Sequence, residues 1–343
     1  MAFIQPRQTK VYKRRRTVTD SYYRTQFRFT RPSVQWITAE FLGPDTGERR
    51  CGALTNLQKM EITLRYMADP GFMNGLSEVV GVSQPTVSRT VKEVVAQICN
   101  RAAVWIKFPN TQVEIENAAR AWQLTRNFPM AFAVVDGSLF KVQKPRYNLN
   151  PQEYYTGRKK FHAINAQIIC DGQYRILDAY IAWPGSVHDA RVWRNSPVKA
   201  FMDSGISGDK LILADSGYGI TPYLMTPYPR AESATDPIKS RFNTALSHDR
   251  VVVENTLGQL KSRFQMLRVP IRLSLEEVPK FILACCILHN VGIHLGDVFE
   301  DDPDLEGDYV TGDDGQGVIP SGAGASAVRA AGQTKRDQIA AIL

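Results

Sequence analysis

Three acidic residues stand where metal-dependent chemistry would need them. Asp136 ends the apolar run AFAVVD, and Asp215 ends the apolar run LILAD. If both runs are strands, these two acids lie at the carboxyl edge of a sheet, where α/β folds place their ligands. Glu254 lies in VVVENTLGQLKSRF, whose apolar spacing predicts a helix, on the face that also carries Lys261. That face can point across the sheet edge toward the two aspartates.

Gathering these carboxylates would create a site for hard metal ions. Three close carboxylates repel one another unless a cation lies among them, and magnesium and manganese prefer oxygen ligands. Two such ions about 3.5–4 Å apart can hold the attacking and leaving oxygens of a phosphodiester. Each acid alone has an ordinary interpretation, because aspartates at strand ends often serve turns. The strand, strand, helix order favours a shared site, with Asp136, Asp215 and Glu254 as catalytic residues and metal ligands.

Other polar residues in this region are weaker candidates. Asp189 stands before a helical stretch and could be an N-cap or a neighbour of the site. His188 could position a phosphate or a water, although a structural histidine is the simpler interpretation. Lys261 could neutralise a phosphate. Two competing acids are Asp171, in an Asp-Gly hairpin turn, and Asp178, within a strand.

The elements that must hold these residues follow an α/β pattern. From about residue 130 the sequence predicts strands in MAFAVVDGS, FHAINAQIICDG, YRILDAYIAW and KLILADSGY. A loop-rich insert containing Pro222 and Pro237 follows, and then two helices are predicted at roughly 249–268 and 276–294. We therefore expect a mixed sheet flanked by helices over residues 125–295.

A helical region precedes the sheet. Residues 46–110 are predicted to be all-helical, and residues 75–98 have the short helix, glycine-containing turn and longer helix of a helix-turn-helix. Ser83 can cap the second helix of this pair. An ordinary helical hairpin is the alternative. If the pair binds DNA, the polar side chains that could face a groove are Gln84, Ser88, Arg89 and Lys92.

Charge is unevenly distributed along the chain. The formal net charge is +8, and residues 1–31 carry nine Arg or Lys against one Asp. We interpret residues 1–45 as a basic flexible arm. Its run Lys13, Arg14, Arg15 and Arg16 has the composition of a nuclear import signal or a phosphate-binding segment. Residues 296–316 carry nine acids and no base, so 296–343 is predicted to be an acidic, disordered tail. A basic body points to nucleic acid, although basic surfaces also serve solubility.

Neither a membrane location nor a disulfide framework is expected. No apolar run approaches the roughly 18 residues of a membrane span, and the start MAFIQPRQTK lacks the apolar segment of a secretory signal. The five cysteines are widely spaced and form no CxxC, which disfavours disulfides and a zinc site. We expect a soluble, intracellular protein.

Taken together, the motifs resemble the Harbinger (PIF) superfamily of DDE transposases and the nucleases domesticated from them. The resemblance covers about residues 131–295, and its segments are VVDGS, YYTGRKKFHAINAQIICD, DAYIAWPGSVHDARVWRNS, LILADSGYGITPYLMTPY, VVVENTLGQLKSRFQML and FILACCILHN. Asp136, Asp215 and Glu254 fall on the family's acidic triad. The resemblance implies a ribonuclease-H-like core, a divalent metal cation (Mg or Mn), and DNA cleavage with strand transfer.

The resemblance also implies a location and a partner. Transposons of this group encode a second, Myb-like DNA-binding protein that helps bring the transposase into the nucleus. The matching segment YYTGRKKFHAINAQIICD contains a basic triplet that could contact the DNA backbone or could be a set of exposed turn residues. The triplet is Arg158, Lys159 and Lys160.

Three functions are compatible with the sequence. The first is an active metal-dependent DNA endonuclease or transposase. The second is a domesticated DNA-binding or adaptor protein without turnover, against which the intact triad argues. The third is a metal-dependent phosphatase or ribonuclease on a similar core. The predicted helix-turn-helix and basic arm favour DNA as the substrate, and an oligomer is compatible with each function.

Overall fold

The structure is a computed structural model of the chain, and it describes residues 19–44, 53–69, 71, 73–145, 151–156, 159–297, 299 and 323–343. The basic run Lys13, Arg14, Arg15 and Arg16 lies outside the described residues, and so does Arg158. Within the described ranges, no helix is long and apolar enough to cross a membrane.

In the described part of the chain, seven helices precede the sheet. They are α1 (Asp20–Phe27), α2 (Arg31–Leu42), α3 (Asn56–Ala68), α4 (Met73–Val80), α5 (Gln84–Cys99), α6 (Ala102–Trp105) and α7 (Gln112–Gln123). The prediction of a flexible arm over residues 1–45 is wrong for α1 and α2. Thr19 and Thr30 cap these helices through their side chains, and Phe27, Val34 and Ile37 are buried. Capping and core packing therefore outweigh the high charge of this segment.

Helices α4 and α5 form where the sequence predicts a helix pair, joined by a turn in which Gly81 has a φ of +77°. Ser83 is the N-cap of α5, but its hydroxyl contacts the Thr86 hydroxyl at 2.9 Å and makes no cap bond to the backbone. The buried stripe of α5 includes Val87, Val91 and Val94. The helix pair is observed, and its assignment as a DNA-binding helix-turn-helix stays a prediction.

Among the residues that the structure describes, a mixed six-stranded sheet forms the centre of the molecule. Its strands are β1 (Ala131–Lys141), β2 (Tyr155–Thr156), β3 (Phe161–Cys170), β4 (Ile176–Pro184), β5 (Leu211–Leu213) and β6 (Leu224–Met225). Strand β1 pairs antiparallel with β3 on one side and parallel with β5 on the other. Strands β2 and β4 both pair with β3, and β6 pairs parallel with β5. The prediction of a mixed α/β fold is confirmed.

Helices cover both faces of this sheet. They are α8 (Pro151–Tyr154), α9 (Asp189–Arg194), α10 (Pro197–Met202), α11 (Arg230–Ser233), α12 (Pro237–Arg263) and α13 (Val278–His294), with a 3₁₀ turn, η1 (Gln265–Leu267). Val134 and Leu213 face the hydrophobic cluster that contains α12 and α13. Val135 and Ile212 face the second cluster, which contains Trp193 of α9. Successive residues of these strands therefore pack into two different hydrophobic clusters, as expected for strands that are buried on both faces.

The long helix α12 begins earlier than its apolar pattern predicts. Pro237, which we assigned to a loop-rich insert, is the first residue of this helix. Asp236 caps it, because its carboxylate accepts hydrogen bonds from the backbone N–H groups of Ile238 (2.9 Å) and Lys239 (3.3 Å). Proline is favoured at the first helical position, where its missing N–H costs nothing.

The prediction of a disordered tail over 296–343 is wrong for its last part, which forms α14 (Ala323–Ala340). Ile339 is buried in the main hydrophobic cluster. The Arg336 guanidinium lies 3.9 Å from the centroid of the Tyr228 ring and donates to the Pro227 carbonyl at 2.9 Å. Tyr228 in turn donates its hydroxyl to Asp337 at 2.6 Å. These contacts dock α14 beside the segment that follows β6.

Candidate active site

Two neighbouring strands bring Asp136 and Asp215 to the same part of the sheet. The parallel register pairs Val134 with Leu213. Asp136 and Asp215 each follow this pair by two residues, and they are close enough for the charge of Asp215 to raise the pKa of Asp136. Both acids are buried, with 0% and 6% of their surface exposed.

The apolar run AFAVVD predicts that strand β1 ends at Asp136, but the strand continues beyond this residue. Strand β1 continues to Lys141 because β3 pairs with it along this whole stretch, with Asp136 opposite Ile168. On the opposite side of β1 from β3, the neighbouring strand β5 stops at Leu213, which leaves a sheet edge beside Asp136. The site therefore lies at a step in the sheet and not at the end of β1.

The environment of the Asp136 carboxyl group disfavours its charge. Its Oδ1 accepts a hydrogen bond from the Gly137 N–H at 2.9 Å, while its Oδ2 is buried with no hydrogen-bond partner among the described residues. Burial raises the pKa of Asp136 to about 8, opposed by Arg250 and reinforced by the nearby Asp215 and Asp189. The Arg250 Nη2 lies 3.8 Å from Asp136 Oδ2. Added positive charge at this position would favour the ionised carboxylate.

Tyr218 lies next to all three aspartates. The turn that carries it is set by Asp215, whose Oδ1 accepts a hydrogen bond from the Gly217 N–H at 2.9 Å. Burial raises the pKa of Tyr218 well above its usual value, and the negative charges of Asp189, Asp136 and Asp215 raise it further. Its hydroxyl has no hydrogen-bond partner within the described part of the chain. The phenol is therefore a protonated donor facing the acidic cluster.

Asp189 approaches this cluster from the N-terminus of α9. His188 is the N-cap and Asp189 is the first helical residue, so the predicted N-cap position is off by one. The Asp189 Oδ1 accepts a hydrogen bond from Asn165 Nδ2 at 2.8 Å, which fixes it across β3. A Cβ atom on Gly137 would lie 2.2 Å from the same oxygen. The absence of a side chain at Gly137 is what allows Asp189 to lie beside Asp136.

Glu254 lies on the stretch of α12 that runs past β1. Arg250, one helical turn before it, reaches Asp136. Lys261, about two turns after it, places its ammonium 5.3 Å from the centroid of the Phe140 ring. Phe140 and Asp136 point to the same face of β1. Glu254 itself is only partly buried.

The three predicted catalytic acids are not gathered as a closed metal centre. Asp215 and Asp189 are close enough to Asp136 for their charges to raise its pKa, whereas Glu254 lies on α12. Among the residues that the structure describes, no three His, Cys, Asp or Glu side chains are close enough to hold a metal ion together. The aspartate pair is preformed, and the glutamate would have to approach it.

The sequence did not predict three residues of the site, which are Arg250, Tyr218 and Asn165. Arg250 had a usable signal, because it lies one turn before Glu254 on a predicted helix and so shares its face. Tyr218 follows Asp215 within the same predicted strand-end segment. Asn165 had no signal, because its contact with Asp189 depends on how β3 and α9 pack.

The remaining candidates lie on the surface or in structural turns. His188 is exposed, and Lys160 is exposed in the turn before β3 with a φ of +57°. Lys159 and Ser88 are partly buried, and Gln84, Arg89 and Lys92 are exposed on α5. The Asp171 Oδ1 accepts hydrogen bonds from the N–H groups of Gln173 and Arg175, as a turn residue does. Asp178 lies within strand β4, as predicted, and burial raises its pKa to about 6.

Known proteins share this part of the chain. Residues 135–290 match the family described as DDE superfamily endonuclease. Human HARBI1 is 28% identical over 285 residues, which cover 81% of this chain and 79% of the human protein. HARBI1 of Xenopus laevis is 27% identical over 282 residues, covering 80% and 79%. The ALP1-like protein of Arabidopsis thaliana is 25% identical over 264 residues, covering 72% and 63%.

A solved structure also overlaps the chain. The crystal structure of the Mos1 strand transfer complex covers 72% of this chain and 81% of its own, at 11% identity and a TM-score of 0.20. That score is too low to support a residue-by-residue equivalence.

Proposed function

Because the chain belongs to the Harbinger transposase-derived family of DDE endonucleases, we propose that it cleaves DNA phosphodiester bonds with the help of a divalent metal ion. Asp136, Asp215 and Glu254 are the catalytic residues of this proposal. The observation that carries it is the parallel register of β1 and β5, which sets Asp136 beside Asp215. A ribonuclease-H-like core is part of the proposal, supported by the placement of β1 between β3 and β5.

The acidic pair fits a hard divalent cation. Asp136 offers a buried carboxylate oxygen without a hydrogen-bond partner among the described groups, and Asp215 follows the end of the neighbouring strand β5 by two residues. Oxygen donors of this kind suit magnesium and manganese. Asp136 and Asp215 would hold the ion, with Glu254 reaching from α12. When bound, it would lower the pKa of a water or a DNA 3′-hydroxyl and stabilise the leaving oxygen.

The chain's own residues have separate tasks in this reaction. Arg250 holds a positive charge 3.8 Å from Asp136 Oδ2, which limits the repulsion among the acids. Tyr218 has a protonated hydroxyl next to them. Lys261 is almost fully buried against Phe140, so its charge acts inside the site and not as a mobile surface lysine. A buried charge interacts more strongly with a phosphate than an exposed one, because solvent screens it less.

DNA binding is proposed to involve regions outside the acidic cluster. The exposed residues Gln84, Arg89 and Lys92 lie on one helix, α5, which would be the second helix of a helix-turn-helix. The basic run Lys13, Arg14, Arg15 and Arg16 would contact phosphates or direct nuclear import. A Myb-like DNA-binding partner and a nuclear location remain proposals taken from the family resemblance.

Cleavage of supercoiled plasmid and of a labelled duplex tests the proposal. The purified chain would be assayed with magnesium or manganese, with and without a Myb-like partner, beside Asp215→Asn. Asp69→Asn serves as the control, because Asp69 is an exposed acid on the far helical region, paired with Arg65. We expect metal-dependent nicking that Asp215→Asn abolishes and Asp69→Asn keeps. DNA binding without cutting under every condition would overturn the proposal in favour of a DNA-binding role without turnover.

A further inference from the structure

A buried aspartate on α12 binds the segment that leads into β1. Asp249 is 0% exposed and directly precedes Arg250. Its Oδ2 accepts three hydrogen bonds, and none of their donors belongs to α12. The donors are Trp122 Nε1 at 3.2 Å, Asn127 N at 3.1 Å and Phe128 N at 2.8 Å.

These donors join three elements at one carboxylate. Trp122 lies in the last turn of α7, while Asn127 and Phe128 lie just before β1. The other Asp249 oxygen, Oδ1, lies 3.0 Å from Nδ1 of His248, whose side chain is 65% exposed. Charged acceptors form shorter and stronger hydrogen bonds than neutral ones, so this carboxylate is a directional anchor for α12.

A second contact between α12 and this segment is apolar and not directional. The Phe242 ring packs edge-on against Phe128 with 5.4 Å between the ring centroids. Apolar contacts of this kind tolerate small rotations and shifts, whereas hydrogen bonds weaken when their angles change. Of the contacts between α12 and this segment, the hydrogen bonds of Asp249 are therefore the ones that resist rotation of the helix about its own axis. Nearer the start of α12, Asn243 hydrogen-bonds with the Tyr228 backbone at 2.8 and 3.0 Å.

Rotation of α12 would displace the site. Arg250 reaches Asp136 from the residue next to Asp249, and Glu254 follows five residues after Asp249. A helix with its side chains is about 10–12 Å wide, so a rotation of about 20° moves a side-chain end by about 2 Å. A misplacement of about 1 Å can reduce the rate of an enzyme about 100-fold.

We propose that Asp249 is a positioning residue that holds Arg250 and Glu254 in register with Asp136. The inference rests on the proposed endonuclease function for its kinetic consequences. Asp249 lies away from the acidic cluster and acts only through the helix that carries the two site residues.

Two substitutions at Asp249 test whether its hydrogen bonds position the site: one keeps the three hydrogen bonds and the other removes them. In Asp249→Asn, the amide oxygen can accept the same three hydrogen bonds, and the amide nitrogen faces His248, whose ring can accept. Asp249→Ala removes all three hydrogen bonds. Asp171→Ala is the matched control, because Asp171 is also a buried carboxylate that accepts backbone N–H groups, but in the β3–β4 turn.

The cleavage rate, the DNA affinity and the manganese affinity of each variant would be measured at a temperature where circular dichroism shows it folded. We expect kcat to fall about 100-fold in Asp249→Ala with DNA Kd changed less than about twofold. Asp249→Asn should stay within about threefold of the natural chain. Asp171→Ala should lose thermal stability without losing kcat. An Asp249→Ala enzyme with the kcat of Asp171→Ala would overturn the inference.

Manganese affinity, measured by calorimetry, distinguishes this inference from the proposed function. If the natural chain cuts no DNA, the endonuclease proposal fails and the affinity decides the role of Asp249. Binding at least about tenfold weaker in Asp249→Ala than in Asp171→Ala, the size of effect seen when supporting groups of a metal site are removed, would support positioning. Equal affinity, including no binding by either variant, would overturn it.

Discussion

Gly137 and Asp189 are so close that a Cβ atom on Gly137 would lie 2.2 Å from the Asp189 Oδ1. The helix-initiating carboxylate thus occupies the space that a side chain on β1 would take. Since Gly137 follows Asp136, any change at this contact is transmitted to the acidic pair.

Gly137→Ala should therefore disturb the site. The methyl group must displace Asp189 or the β1 backbone, and overpacking of this kind costs about 1–3 kcal/mol. We expect a lower melting temperature and a loss of metal-dependent cleavage. Gly75→Ala is the control, because a Cβ there meets nothing within 4 Å and the residue lies in α4. Unchanged cleavage by Gly137→Ala would show that the contact with Asp189 has no role in activity.

The buried Asp136 should make stability decrease with rising pH. Its folded pKa of about 8 lies above its unfolded value, so the folded state binds the extra proton between about pH 4 and pH 8. The stabilisation is complete below the unfolded pKa and is lost as the pH rises through the folded pKa. The free energy of unfolding should fall by up to about 1.4 kcal/mol per pH unit in this window. Urea denaturation between about pH 6.5 and pH 8 should show this decrease, and Asp136→Asn, which cannot ionise, should show a shallower one.

Histidine 289 should produce the opposite pH dependence. His289 is 3% exposed and its ring donates to the Tyr174 carbonyl over 2.9 Å, and burial lowers its pKa to about 4. Between about pH 4 and pH 6.5 the unfolded chain binds the proton and the folded chain does not, so acidification destabilises the fold. The expected loss is up to about 1.4 kcal/mol per pH unit. Asp136 has the opposite slope in the same window, so the test is made in the Asp136→Asn background. There the slope should disappear when His289→Gln is added, and a retained slope would assign it to another group.

The docking of α14 should depend on Arg336. Arg336→Ala removes the contact with the Tyr228 ring and the hydrogen bond to the Pro227 carbonyl. Loss of a partly buried charged hydrogen bond and its stacking should destabilise the chain by about 1–3 kcal/mol. Limited proteolysis would then release the C-terminal segment sooner. Arg329→Ala, at an exposed position of the same helix, should digest like the natural chain, and equal rates for both variants would contradict the prediction.

The basic run near the N-terminus should contribute to the salt dependence of DNA binding. Replacing Lys13, Arg14, Arg15 and Arg16 with alanine should flatten the slope of log K against log salt by about 0.9 for each lost phosphate contact. Manganese affinity should not change. Replacing only the three arginines with lysine keeps the charge and should keep the slope. An unchanged slope in the alanine variant would exclude this run from DNA binding.

Element types and the aspartate pair could be predicted from the sequence, because they depend on local patterns. Apolar runs ending in Asp136 and Asp215 indicated two strands, and the register of β1 and β5 brings the acids together. The length of β1 could not be predicted, because residues after Asp136 gain their strand partners from β3. Pairing partners far away in sequence, and not the local pattern, decide where that strand ends.

The N-terminal helices were missed for a different reason. The high charge of residues 1–45 predicts a flexible arm, yet Thr19 and Thr30 are ordinary capping residues, and Val34 and Ile37 have helical spacing. Arg250 was likewise visible one turn before Glu254. The contacts of Asn165 with Asp189 and of Trp122 with Asp249 join residues 24 and 127 positions apart. Contacts of that range follow from tertiary packing and have no signature in a single sequence.

The step in the sheet gives the two aspartates unequal freedom. Asp136 lies in the middle of β1, and β3 continues to pair with β1 beyond Asp136. Asp215 instead follows a strand of only three residues and begins a turn. We therefore expect Asp136 to keep a fixed position and Asp215 to be able to shift. If the site opens to admit a DNA strand, as the proposed function requires, we expect Asp215 and α12 to move while β1 stays in place.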